Sequence, residues 1–399
     1  MGSSLYAAFC PPPSPSLTKF SRWQPTSLLS CPRVACCSGS QPQYVASELK
    51  FALHDALEST GMDTTYAREA REGFWSQIKK LSSLERETSI SINRCVDLGK
   101  TALHVAAEDD SLISHSSVPL PVDAFIDRLD DLSVGYCPHY SSSFKSSPES
   151  FLESIERYLF DEKVLTHRSG SAVMLSLIYS EILKMLRLWG LVDFDVEISF
   201  PLDLHSLPRG YQKQKSKESD QPHIMTVQTL LEEILSNLKT AFWPFQHDQS
   251  KSLFLRAARA ANCIDRLNNE DSGLQLASAK AAQHRLERGV WTSVRFGDMR
   301  RALAACERLI LLETDAKELR DYSILLYHCG LYEQSLQHLK KYQETKSCSV
   351  QKQSSDLVSR QEDDAVEKLM IRLNLIMMEQ GWSKPSYVRN FLGNNSEPW

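Results

Sequence analysis

The first 47 residues contain no aspartate or glutamate, and Glu48 is the first acid of the chain. Glycine is scarce, 15 of 399 residues, and none of the 10 cysteines forms a C-x-x-C pair. No apolar run reaches ten residues. Each shortage excludes something. Runs this short cannot cross a bilayer as a helix. Cysteines without C-x-x-C spacing support neither a zinc knuckle nor a thioredoxin-like redox pair. No glycine-rich phosphate loop, H-E-x-x-H or EF-hand spacing occurs, so no cofactor or metal site is expected. A net charge of −5 argues against general nucleic-acid binding, which needs a cationic surface to displace counterions. What is present is ordinary: 42% hydrophobic and 24% charged residues, enough chain for two to three domains with real cores.

The acid-free start is also serine-rich and mildly basic, with Lys19, Arg22 and Arg33, and Pro11, Pro12, Pro13 and Pro15 forbid a regular helix. That composition predicts an organellar transit peptide over residues 1–40. The prolines and the lack of an arginine-bearing amphipathic face point to the chloroplast, with the stroma as compartment, and Val34-Ala35-Cys36-Cys37 resembles a plastid processing site. Its removal takes three of the 45 basic residues and none of the 50 acidic ones, moving the net charge from −5 to −8. It also leaves six widely spaced cysteines, Cys95, Cys137, Cys263, Cys306, Cys329 and Cys348, expected to be mostly structural.

The remaining chain divides by pattern. Residues 45–98 read as helices, with Phe74, Ile78 and Leu81 at helical spacing. In the segment 99–226, Thr101–Asp110 reads as a compact helix ending in acids. Pro121 opens a helix with Val122, Phe125, Ile126 and Leu129 as its buried stripe, and Pro148 opens another with Phe151, Leu152, Ile155, Tyr158 and Leu159. The helix from Ser171 to Leu188 is apolar on most of its surface, with a polar stripe only at Glu181, Lys184 and Arg187, and belongs at the centre of a core. Phe194, Val196, Ile198 and Phe200 then alternate with polar residues as a half-buried strand stopped by Pro201. Tyr211–Gln221 reads as a lysine-rich loop and His223–Thr226 as a short second strand. A helical connector is expected over 227–289, including Leu230–Leu238, Leu253–Arg266 and Ala277–Arg288.

An internal echo follows. Gly297-Asp298-Met299-Arg300-Arg301-Ala302-Leu303 matches Gly330-Leu331-Tyr332-Glu333-Gln334-Ser335-Leu336 at an offset of 33, with Leu319, Tyr322 and Leu326 at first-helix positions. That period is tetratricopeptide grammar: glycine ends one helix and a small residue lets its partner approach. Repeats are thus expected over 290–345, a polar linker over 346–362 and a capping helix over 363–380 with Val366, Leu369, Met370, Leu373 and Ile376. Repeats this few should pack on the preceding helices. Leu319, Tyr322, Leu326, Tyr332 and Leu339 are the candidate partner-binding positions.

In their order, Ala102–Asp110, Pro121–Leu132 and Thr166–Tyr179, followed by the repeat region, resemble the SirB family, which joins a transglutaminase-like domain to tetratricopeptide repeats. The resemblance covers roughly residues 100–345 and implies a mostly α (α+β) fold, a degenerate papain/transglutaminase-like domain with a small sheet followed by helical repeats. Enzymes of the transglutaminase-like type place a cysteine at the head of the buried helix, with a histidine on a neighbouring strand. The Arg168-x-Gly170 pattern puts Ala172 at the cysteine position, and a methyl group cannot attack a substrate. His223 resembles the family's histidine, but no third carboxylate is recognisable. The connection Asp161-Glu162-Lys163 is shorter than in relatives.

The resemblance therefore implies a non-catalytic interaction or adaptor module with protein or peptide partners. An acyl-transfer or peptide-hydrolysing enzyme using His223 and no thiol is the alternative, and a plastid regulatory factor acting through partners is another. Ser171 reads as a replacement nucleophile with His223 as base, or Ser169 or Ser171 as a helix cap, and the absence of a nucleophile-elbow pattern around either serine favours the cap. The Phe242-Trp243-Pro244-Phe245 knot reads as inter-helix packing or as a binding anchor.

Overall fold

The computed structural model describes residues 49–59, 61–90, 95–114, 118–140, 147–160, 171–200, 208–213, 223–245, 252–264, 298–348 and 357–379, all within the unit Gln41–Trp399. Residues 1–40, the 161–163 connection and the segment Ala277–Arg288 lie outside them. About 75% of the described residues are helical. Among them no helix is long and apolar enough to cross a membrane.

The helices are α1 (Ala52–Glu58), α2 (Thr65–Lys79), α3 (Ser83–Glu87), α4 (Leu98–Ser114), α5 (Val122–Tyr140), α6 (Pro148–Phe160) and α7 (Ala172–Leu188). A hairpin follows, β1 (Val196–Ser199) and β2 (Arg209–Gln212), then α8 (Val227–Phe242), α9 (Leu253–Ala260), α10 (Met299–Leu311), α11 (Lys317–His328), α12 (Tyr332–Cys348) and α13 (Leu357–Glu379). Their starts follow local chemistry. Ser82 and Glu85 make a capping box for α3, Thr226 and Thr229 one for α8, and the Asp298 carboxylate accepts from the Arg300 N–H at the head of α10.

β1 and β2 pair antiparallel, Val196 opposite Gln212 and Ser199 opposite Arg209. Single bridges, Ser199 to Ile224 and Ser89 to Thr226, extend the ribbon on the other edge of β1. The expected strand at 223–226 is therefore a bridge segment. Tyr211 and Gln212, expected in a loop, belong instead to β2. Arg-Gly-Tyr-Gln has no apolar alternation to announce a strand, and its pairing comes from the hairpin partner. Glu197 is buried as well as Val196 and Ile198, so β1 is covered on both faces rather than half-buried.

Two cores form. One gathers Phe74 and Ile78 of α2, Phe151 and Ile155 of α6, the length of α7, β1, and Leu230, Leu231 and Leu235 of α8. In it α7 is central, as its apolar circumference demands, and Glu181 is itself buried, accepting the Gly99 N–H at 3.2 Å and pairing with Lys184 at 2.9 Å. The second core joins Leu49 and, from α1, Leu53 and Leu57 to Trp243, Phe245 and α9–α13. Helix α10 serves both, sending Ala302, Leu303 and Cys306 into the second core and Leu309 into the first.

Several boundaries differ from the sequence pattern. α9 ends at Ala260, beyond which Asn262 takes a left-handed φ of 55°. α12 continues to Cys348 and α13 begins at Leu357, so much of the polar 346–362 stretch is helical. Val122, Phe125, Ile126 and Leu129 are only half-buried, because the first turns of α5 lie at the edge of the core. Between α11 and α12 the chain turns at Gly330, φ 74°, and the two helices touch through Ser323 and Ser335. Each serine hydroxyl donates to the other's carbonyl, at 2.6 and 2.8 Å, a contact that larger side chains would forbid.

Candidate functional site

The head of α7 is built by two small residues. The Ser171 hydroxyl accepts the Met174 N–H at 3.3 Å and so caps the helix, and Ala172 is the first helical residue. A methyl group thus stands where a nucleophile at this helix start would be. His223 sits half-buried on the bridge segment, where its carbonyl accepts the Phe200 N–H at 2.8 Å. Its position in the ribbon is set by that backbone bond. Arg168, Ser169 and Gly170 fall outside the described residues.

Of the candidate repeat positions, Leu319, Tyr322, Leu326 and Leu339 are buried between helices, the most exposed of them at 8%. They pack the second core and present no outer surface. Tyr332 is partly covered, its ring 5.5 Å from Tyr327. Trp243 and Phe245 are likewise interior, and Arg301 stacks on the Phe242 ring at 4.4 Å, so the aromatic knot is packing. Cys263, Cys306 and Cys329 are buried, and loss of hydration pushes their thiols up, Cys329 to about 12. Cys137 is raised in the same direction, whereas Cys95 is exposed.

A recess of about 370 Å³ lies between α2, α4 and residues 118–124. The two helices run antiparallel, with Arg71 meeting Glu108, Gly73 beneath His104, and the Gln77 amide oxygen accepting the Asp97 N–H at 3.2 Å. Small side chains make the depression, since Ala70 and Ala107 line it and any Cβ at Gly73 would overlap the His104 imidazole. His104 is half-buried in this recess, and burial, reinforced by Lys100, holds its imidazole below the ordinary histidine value. Lys100 also reaches Asp123 at 3.6 Å. Glu69 and Asp110 add two further carboxylates to the lining.

Behind the recess, α2 and α4 are tied to the C-terminal helices by a buried ionic network. Arg71 donates to Glu108 at 2.6 and 2.8 Å, to Glu307 at 2.9 Å and to the Lys50 carbonyl at 3.1 Å. Arg308 donates to Glu108 at 3.2 Å and to Asp109 at 2.6 Å. Glu307 also accepts the Tyr322 hydroxyl at 2.7 Å and the Leu53 N–H at 2.8 Å. Arg71, Glu108, Glu307 and Arg308 have no exposed surface. Burial opposes the Glu108 charge, yet Arg308 and Arg71 outweigh it and hold the carboxyl well below its ordinary value. For Asp109 burial wins and its carboxyl is raised.

The acids expected to end a helix are therefore mid-helix pairing groups of α4, and nothing in their local spacing announces it. The reciprocal signal is Glu307-Arg308, adjacent opposite charges of α10 with apolar residues on both sides. Among the described residues no cluster of three metal-ligating side chains occurs. Comparison of the chain with protein-family models, with curated proteins and with solved structures finds no match.

Proposed function

We propose that this chain is a non-catalytic protein-interaction module of the chloroplast, a pseudo-transglutaminase-like domain of the SirB type joined to tetratricopeptide-like repeats. The observation that carries it is the head of α7, where Ala172 occupies the first helical position and the Ser171 hydroxyl is committed to the Met174 N–H. A helix N-terminus activates a thiol by favouring its anion, and this one has no thiol to activate. The α10–α13 helices support an adaptor role, since paired helices with small residues at their contacts build the stacked surfaces on which repeat proteins hold partners.

The test has two arms, both with residues 41–399. Affinity capture from isolated chloroplast stroma is expected to return the same partners with wild type and with His223→Ala. Added stromal peptides, followed by mass spectrometry, are expected to stay unmodified. Peptides that are cleaved or cross-linked by wild type and left intact by His223→Ala would overturn the proposal and establish the enzyme.

A further inference from the structure

We infer that the recess between α2, α4 and residues 118–124 is a peptide-binding groove for a segment that places an apolar side chain beside a lysine or arginine. This deepens the interaction-module role proposed above and rests on it. Two features of the lining select that ligand. Much of the lining is apolar: Ala70 and Ala107 are buried in it, and Val118, Pro119 and Leu120 add further apolar surface. Val118 is 68% exposed, a large aliphatic side chain held in water next to a concavity it can help to close. An apolar side chain entering here would lose water against both surfaces.

The rim selects the charge. Glu69 and Asp123, both exposed, contribute two carboxylates against the single ammonium of Lys100, which itself pairs with Asp123. These groups leave the rim negative by one at neutral pH, and a ligand cation beside the apolar anchor complements it. The half-buried His104 imidazole adds a hydrogen-bonding group to the same lining. Its ring is fixed against the α2 backbone at Gly73, so the polar contact is set in place before a ligand arrives. The 370 Å³ volume accommodates one or two side chains, the scale of an anchor in a linear motif rather than of a folded partner.

A random heptapeptide library displayed on phage, panned on residues 41–399, tests this directly. The counter-targets are Glu69→Lys/Asp123→Lys, which inverts the rim at two exposed positions, and Ala124→Trp, which plugs the groove from an exposed position without changing charge. Enriched peptides should carry Leu, Ile, Phe or Met within two residues of Lys or Arg. A synthetic copy of the most enriched peptide should lose at least tenfold in affinity on each variant by fluorescence anisotropy, with melting temperatures unchanged. No enrichment, an acidic consensus, or equal binding by wild type and both variants would overturn the inference. If the peptide arm fails while stromal partners are still captured equally by wild type and both variants, the groove is excluded and the interaction-module role stands. If neither peptides nor partners bind, both fall.

Discussion

Arg71 and His328 show how much single buried polar groups decide in this molecule. Arg71 is fully enclosed and answers two carboxylates on different helices, Glu108 and Glu307. Replacing it leaves both acids in a dry interior with fewer partners, and the cost of an uncompensated buried charge dominates over any lost attraction. Arg71→Met is expected to destabilise the fold by about 3–5 kcal/mol in urea titrations. Arg68→Met, three residues earlier on the partly exposed side of the same helix, should leave the midpoint nearly unmoved, since its partners Asp55 and Glu58 are exposed.

His328 works through pH. It is enclosed beside Phe245, its Nε2 is 2.9 Å from the Ala257 carbonyl, and burial lowers it from 6.5 to about 4. Below pH 6.5 the unfolded chain takes up a proton that the folded chain refuses. Its stabilising effect is thus complete above 6.5 and lost as pH falls toward 4, about 3 kcal/mol over the interval. Subtracting the stability curve of His328→Gln from that of wild type should isolate this slope. Equal slopes in the two proteins would sink the assignment.

At the scale of elements, close approaches govern. In β2, Gly210 lies against the Tyr179 hydroxyl of α7 and donates its N–H to Glu156 of α6 at 3.3 Å. A methyl at 210 would overlap a ring that is buried and cannot retreat, so Gly210→Ala should lower stability by about 1–3 kcal/mol through overpacking, measurable as a drop in melting temperature. Elements announced themselves in the sequence when their chemistry was local. The Phe74, Ile78 and Leu81 spacing, the apolar circumference of α7 and the Gly330–Ser335 echo each predicted a helix or turn that the structure contains.

What stayed hidden was non-local. Glu108, Asp109 and Glu307 look like solvated acids until helices from opposite ends of the chain meet around them. β2 had no pattern of its own, and the recess between α2 and α4 arises from alanines and a glycine that any surface helix could carry. Leu319 and Tyr322 lie on a helix, as their spacing predicts, but period alone does not tell an inner face from an outer one.

On the scale of the whole molecule, α1 belongs to the same core as α9–α13. Leu49, Leu53 and Leu57 share one apolar cluster with Phe254, Leu303 and Tyr322, and the Leu53 N–H completes the Glu307 carboxylate. Residues 298–379 alone would expose that seam and leave Glu307 without Arg71. The isolated fragment is expected to lack a cooperative thermal transition and fixed near-ultraviolet circular dichroism, whereas 41–399 should show both. A fragment that melts cooperatively on its own would show that α10–α13 form an autonomous array.

The buried network also imposes a timetable on the newborn chain. Leu53 and Arg71 wait for Glu307 across 254 and 236 positions, and Glu108 waits for Arg308 across 200. A ribosome adding about 5–20 residues per second needs about 10–40 s to cover the shortest of these gaps. Through that interval α2 and α4 can pair with each other, while Leu49, Leu53 and Leu57 lack most of the apolar cluster they finally join. Leu53 and Arg71 thus stay without this partner until Glu307 has been made.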